Sequence, residues 1–278
     1  MSLDPALVRR FDNRILVDLP NEEEREKYLG ILTKKKQFEK IDDSVLHNIA
    51  TRTPGTSLAI LQNVVDLAVR NADNHGRRPN GDDLLTALEE YNYGEKREWS
   101  EAYYRSVSVH ESGHAYIAYL SGERPSYVTI ESRGDFGGYM AHENSEKKPN
   151  FTKEELIWKI RCALGGRAAE EVFFGKEASL NTGASSDLQS ATRYASSLLC
   201  DYGMMSGQMI ALPFKMILET PLASDYLLRI NKLLQDEMVN TVKMIEEGKD
   251  KVEKLSAKLL SQNHLTGDEI TEILRSES

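Results

Sequence analysis

Residues Ser108–Leu120 read SVHESGHAYIAYL, and His110, Glu111 and His114 within them satisfy H-E-x-x-H. On a helix, positions i and i+4 lie on one face a turn apart, so two imidazoles can meet one tetrahedral metal. The glutamate between them, rotated by about 100° from the first histidine, can reach a water beside the metal and serve as general base. The same pattern also occurs on ordinary surface helices without function. Here the neighbours decide. Val107, Val109, Ala115, Tyr116, Ile117, Ala118, Tyr119 and Leu120 leave no polar face, and a helix apolar all round is a buried one. Burying a glutamate beside two histidines is costly unless something compensates. A divalent cation compensates; a hydrogen-bonded structural cluster is the competing explanation. Zinc is the metal that this motif serves.

Spacing does not select a third ligand. A metzincin extension would place histidine six residues after His114, where the sequence has Leu120. Four candidates remain: His142, Glu170, Glu171 and Asp187. His142 follows a β segment and reads as a strand-end histidine. Glu170 and Glu171 sit in LGGRAAEEVFFG, an apolar helix with a close-packing Gly165-Gly166 pair, so one of them is expected to be buried with a partner. Asp187 lies in NTGASSDLQSATRYA, in the first turn of a helix, where an acid also serves simply to complement the helix dipole.

The rest of the chain supplies the setting. The length of 278 residues allows two domains. A net charge of -9 argues against a nucleic-acid surface, and the run Lys34-Lys35-Lys36 reads as a helix end. Cys162 and Cys200 make no disulfide framework and read as reduced, buried apolar residues. No apolar run approaches bilayer length and no signal peptide is evident, so the chain is expected to be soluble. Residues 1–20 end in a strand-like ILVDL before Pro20, with nothing ahead of it to complete a sheet. From Asn21, with Glu22, Glu23 and Glu24 in the first turn, the pattern becomes four short helices broken at Thr53-Pro54-Gly55 and capped again at Asn80. The polar stretch Tyr91–Glu101 marks a domain boundary. Beyond it come the H-E-x-x-H helix, a β-hairpin from Tyr127–Ile130 and Gly137–Ala141, and a helix capped by Thr152 and Glu155. Ser186 and Gln189 suggest the cap of the next helix. After Ser224 the chain is almost continuous amphipathic helix, with breaks near Gly248 and at 263–267. The expected fold is mainly α: a helical bundle, then a mostly helical domain with a small β-hairpin.

HESGHAYIAYLSG, GGYMAHE, FTKEELIWKIRCALGGRAAEEVFFG and TGASSDLQSATRYA, in this order, resemble the peptidase domain of the FtsH family of ATP-dependent, usually membrane-anchored zinc endopeptidases of the AAA+ class. Residues 1–95 are similar to the end of that family's ATPase module, with 1–20 as a remnant of the core and 21–95 as the helical lid. Residues 96–278 are similar to its peptidase domain. The resemblance implies Zn2+ held by His110, His114 and Asp187, with Glu111 as base. Glu170 and Glu171 then become candidates for orienting a ligand histidine. It also implies that Gly137, Gly138 and Tyr139 form a substrate-binding edge strand, where an extended peptide adds through backbone hydrogen bonds. DPALVRRFDN lacks the Pro-Gly of the family's DPALxRPGRFDR pattern, which leaves Arg9 and Arg10 adjacent and without the spacing of the family's arginine fingers. No GxxxxGK[ST] occurs in the sequence, so ATP and Mg2+ belong to a full-length protein of which this chain is expected to be a fragment. The implied partners are unfolded polypeptides and five further copies in a hexamer, with a cytoplasmic-facing location and a membrane anchor contributed by an N-terminal region absent here. Two other functions remain: a motorless zinc peptidase acting without ATP, and a non-catalytic hexameric scaffold.

Overall fold

Helix starts follow from capping chemistry. The computed structural model describes residues 18–94, 98–132, 138–142, 150–177, 179–205 and 209–276. Contacts divide the chain into two units, Met1–Asn92 and Tyr93–Ser278. In the first, α1 (Glu22–Lys35) opens on Asn21, whose side chain accepts the Glu24 N–H while the Glu24 carboxylate accepts the Asn21 N–H. The exchange satisfies two donors that a helix start leaves without partners. Helices α2 (Asp43–Arg52), α3 (Leu58–Asn74) and α4 (Gly81–Tyr93) follow. Asn80 and Asp83 repeat the reciprocal cap at the start of α4. Between α2 and α3 the chain turns at Gly55, whose φ of 71° is costly for any residue with a Cβ. Leu29, Ile49, Leu61, Leu84 and Leu88 fill the bundle core. Buried charges here have partners. The Arg25 guanidinium donates to the carbonyls of Ala50 and Pro20, and Arg52 pairs with Glu89.

The second unit is built on α5 (Glu101–Leu120), capped by the Ser100 side chain. It continues through β1 (Pro125–Thr129), β2 (Tyr139–His142), α6 (Lys153–Phe174) and α7 (Ser185–Ser196), which passes into a π-helical turn at Ser197–Asp201. A short α8 (Phe214–Leu218) precedes α9 (Ala223–Glu247), α10 (Lys249–Gln262), β3 (His264–Thr266) and α11 (Gly267–Arg275). Thr152 and Glu155 form the expected capping box of α6. The start of α7 differs from expectation: its cap is Ala184, with no side-chain hydrogen bond, and Ser186 lies inside the helix. The preceding turn explains this. The Asn181 side chain accepts the Gly183 N–H and the Thr182 carbonyl accepts the Ser185 N–H, so the chain is already coiled before Ser186.

The sheet has three strands, not the two of a hairpin, in the order β2-β1-β3 with both pairings antiparallel. The break read at 263–267 contains the third strand. Asn263 ends α10 with a φ of 65°, and its carbonyl accepts the Ile130 N–H at 2.9 Å and the Thr129 hydroxyl at 3.1 Å. Tyr127, Val128 and Thr129 then face Thr266, Leu265 and His264. The architecture is mainly α with a small sheet, as the sequence predicts.

Two cores flank the α6 helix. One gathers Ile117, Val128, Ile245, Leu255 and Leu265 around α5; the other packs Ile160, Leu198 and Leu199 beneath α6 and α7. Where α5 meets α6 there is no room for side chains. A Cβ on Gly113 would collide with the Gly165 carbonyl and stand 2.6 Å from the Cβ of Ala169, and one on Gly165 would stand 2.9 Å from the Gly113 carbonyl oxygen. Backbone lies on backbone at this crossing, which brings the H-E-x-x-H face of α5 against α6. Cys200 is buried and Cys162 only half-buried; both thiols are free, and burial pushes them up to about 11 and about 12.

Candidate metal centre

Two helices deliver side chains to a single point, and a third backs them. From α5 come His110 and His114, from the first turn of α7 comes Asp187, and α6 supplies the wall behind them. Next to Gly165, Gly166 leaves space for a ring: a Cβ there would lie 2.6 Å from Cδ2 and Cε1 of His110. The imidazole rests on bare backbone.

The far nitrogen of each ring is tied. Nδ1 of His110 lies 2.7 Å from Oε1 of Glu170, and Nδ1 of His114 lies 2.7 Å from the Cys162 carbonyl oxygen. Both partners only accept, so each Nδ1 carries the proton and each Nε2 presents its lone pair. The two Nε2 atoms are 3.1 Å apart, and Oδ2 of Asp187 stands 3.0 Å from the first and 3.4 Å from the second. Three electron-rich atoms so close repel one another unless a cation sits among them. Ligands about 2.0–2.1 Å from a tetrahedral zinc stand about 3.3–3.4 Å from each other, so the observed separations fit that ion.

Where no cation sits among these atoms, a proton takes its place on Nε2 of His110. Burial opposes a charge on His110, yet its hydrogen bonds to Asp187 and Glu170 prevail and hold the imidazole up at about 10. Burial likewise opposes ionisation of Asp187, but the two histidines overcome it and push the carboxyl well below its ordinary range. A pocket that gathers this much negative potential attracts a divalent cation as readily as a proton. Glu111, by contrast, is raised chiefly by burial, against the pull of His110 and His114. It is 7% exposed, between His110 and His114 along the helix, and a Cβ on Gly138 would stand 3.2 Å from its Cγ. A buried carboxylate with a raised proton affinity is suited to take up a proton.

The remaining expected residues fall in different places. Glu170 is buried and bonded to His110, whereas Glu171, one position on, is half-buried and not part of this group. Gly138 precedes β2, and Tyr139 pairs with Thr129 at the start of that strand, which lies at one edge of the sheet. The His142 backbone pairs with Pro125, but its side chain, like Gly137, Arg9 and Arg10, lies outside the described residues. Spacing gives no hint of the Cys162 carbonyl or of Asn181, whose amide donates to Oε2 of Glu170 at 2.6 Å.

Comparison with known proteins places the chain in a family. Residues 97–273 match peptidase family M41. A protein of Mycoplasmopsis pulmonis named ATP-dependent zinc metalloprotease FtsH is 32% identical over 96% of this chain and 39% of its own length. A protein of the same name from Clostridium perfringens is 35% identical over 98% of this chain and 40% of its own length. ATP-dependent zinc metalloprotease FtsH 4 of Synechocystis is 32% identical over 98% and 46%. The chain thus spans less than half the length of these relatives.

Proposed function

This chain belongs to peptidase family M41, and from that premise we propose that it is a zinc metalloendopeptidase of the FtsH type, with His110, His114 and Asp187 as metal ligands and Glu111 as general base. One observation carries the assignment: two Nε2 lone pairs and a carboxylate oxygen converge, with both opposite ring nitrogens committed elsewhere. A hydrogen-bonded structural cluster does not need three acceptors aimed at one point.

Bound zinc supplies Lewis acidity to a water and to the scissile carbonyl. The protein supplies the rest. Glu170 and the Cys162 carbonyl hold the ring tautomers. The Glu111 carboxylate takes the proton of the attacking water and returns it to the leaving amine. An extended substrate pairs its backbone with the edge at Gly137, Gly138 and Tyr139, which accepts many side chains and therefore many unfolded sequences. Glu111→Gln should keep about one zinc per chain while abolishing cleavage of casein. Undiminished cleavage by that variant overturns the mechanism.

The wider setting is part of the same proposal. Residues 21–95 are the helical lid of an AAA+ module, 1–20 a remnant of its core, and 96–278 the peptidase domain. ATP and Mg2+ act elsewhere in a longer polypeptide, unfolding and delivering misfolded or misassembled proteins, including those of membranes. Among the described residues no helix is long and apolar enough to cross a bilayer. Met209, Ile210, Met216, Leu222 and Leu228 are exposed apolar side chains that assembly into a hexamer would help to cover. A second reading is cleavage of already unfolded peptides without ATP. Casein turnover by this chain alone, with no nucleotide added, distinguishes the two.

A further inference from the structure

We propose that Asn181 is a positioning residue of the metal site: its side-chain amide couples Glu170, and through it His110, to the turn that delivers Asp187. The inference rests on the metal-site reading above. Glu170 is 4% exposed, and a carboxylate so deeply placed needs both oxygens occupied. Oε1 accepts from Nδ1 of His110 at 2.7 Å, and Oε2 accepts from Nδ2 of Asn181 at 2.6 Å. The other end of the same amide is also engaged, since Oδ1 accepts the Gly183 N–H at 2.8 Å. A Cβ on Gly183 would stand 2.9 Å from that oxygen, so glycine gives the turn its room.

The two ends of Asn181 therefore serve different elements. Nδ2 braces the α6 carboxylate that orients the first histidine. Oδ1 folds the turn four residues ahead of Asp187, the third ligand. Only an amide of this length has a donor and an acceptor to offer in those directions. Flipped, it would set oxygen against carboxylate and NH2 against N–H, so the network fixes its orientation. Aspartate could still accept from Gly183 but would set a second negative charge against Glu170. With both oxygens engaged, Glu170 is held against the Nδ1 proton of His110, and that hydrogen bond strengthens Nε2 as a ligand.

The test is zinc affinity, measured on the full chain by competition with a chromophoric chelator, for Asn181→Ala and Asn181→Asp. Each is made alone and in a Glu170→Ala background, with thermal unfolding of the metal-free proteins as a check on folding. Asn181→Ala should weaken zinc binding about 10-fold. Asn181→Asp, which preserves the turn but not the donor, should weaken it further. In the Glu170→Ala background Asn181→Asp, which keeps the turn, should cost no further zinc affinity, whereas Asn181→Ala should keep only the loss that comes from the turn. Wild-type affinity in Asn181→Asp, or an equal loss in both backgrounds, overturns the role through Glu170 and leaves the metal site standing. A wild-type chain that binds no zinc overturns the site and this inference together.

Discussion

At His110 the two ring nitrogens have separate work, and neighbours on different helices enforce the division. Glu170 takes Nδ1, and Gly166 lets the ring lie flat enough against α6 for Nε2 to face Asp187. Gly166→Ala should therefore reduce zinc affinity at least about 10-fold in chelator competition. The metal-free protein should melt close to wild type, because the ring can swing aside and alanine favours a helix. A parallel fall in both readouts would mean that the glycine serves the packing alone. The histidines and Glu111 are legible in the sequence because their spacing is local, set by one helical repeat. Asp187 is not, because an acid in a first helical turn has an ordinary use there. Nor does periodicity separate Glu170 from Glu171 on a helix apolar on every side. The geometry gathers Asp187 with the histidines and Glu170 behind them. Asn181 was open to notice only as a turn-forming residue, since its partner is on another helix.

Between elements, the crossing of α5 and α6 decides where His110 and His114 stand. Gly113→Ala places a methyl group against the Gly165 carbonyl and Ala169, with backbone on the far side that cannot step back. Overpacking of this kind costs about 1–3 kcal/mol. Thermal unfolding should fall by several degrees, and zinc affinity should fall with it as α5 is pushed from the Cys162 carbonyl. An unchanged melting temperature would show that the helices separate freely. Helix boundaries set by side-chain caps, such as Asn21 and Thr152, can be read directly from sequence. The start of α7 cannot, because a backbone turn begins the coiling before Ser186. The third strand is also hidden: three residues are too few to show alternation, and only pairing with β1 makes His264–Thr266 a strand.

Across the whole molecule the two units carry their own cores, so their stabilities answer to different groups. In the first unit Asp83 accepts from Arg77 at 2.5 and 2.6 Å and from the Asn80 N–H at 2.9 Å. The Arg77 hydrogen bonds, despite burial, hold its carboxyl below the usual range. A depressed folded value means that the stabilisation is complete above the unfolded pKa of about 3.9 and disappears as pH falls through the folded one. Asp83→Asn should thus lower the melting temperature of this unit at pH 7 and flatten its decline toward acid. A decline as steep as wild type would assign the acid sensitivity to other carboxylates. The small sheet beside α5 has a different consequence. β1 gains its second neighbour from residues 264–266, more than a hundred positions later. A chain still on the ribosome cannot complete that sheet until this late segment has emerged. Translation order thus postpones the completed sheet beside the H-E-x-x-H helix until that late segment has been made.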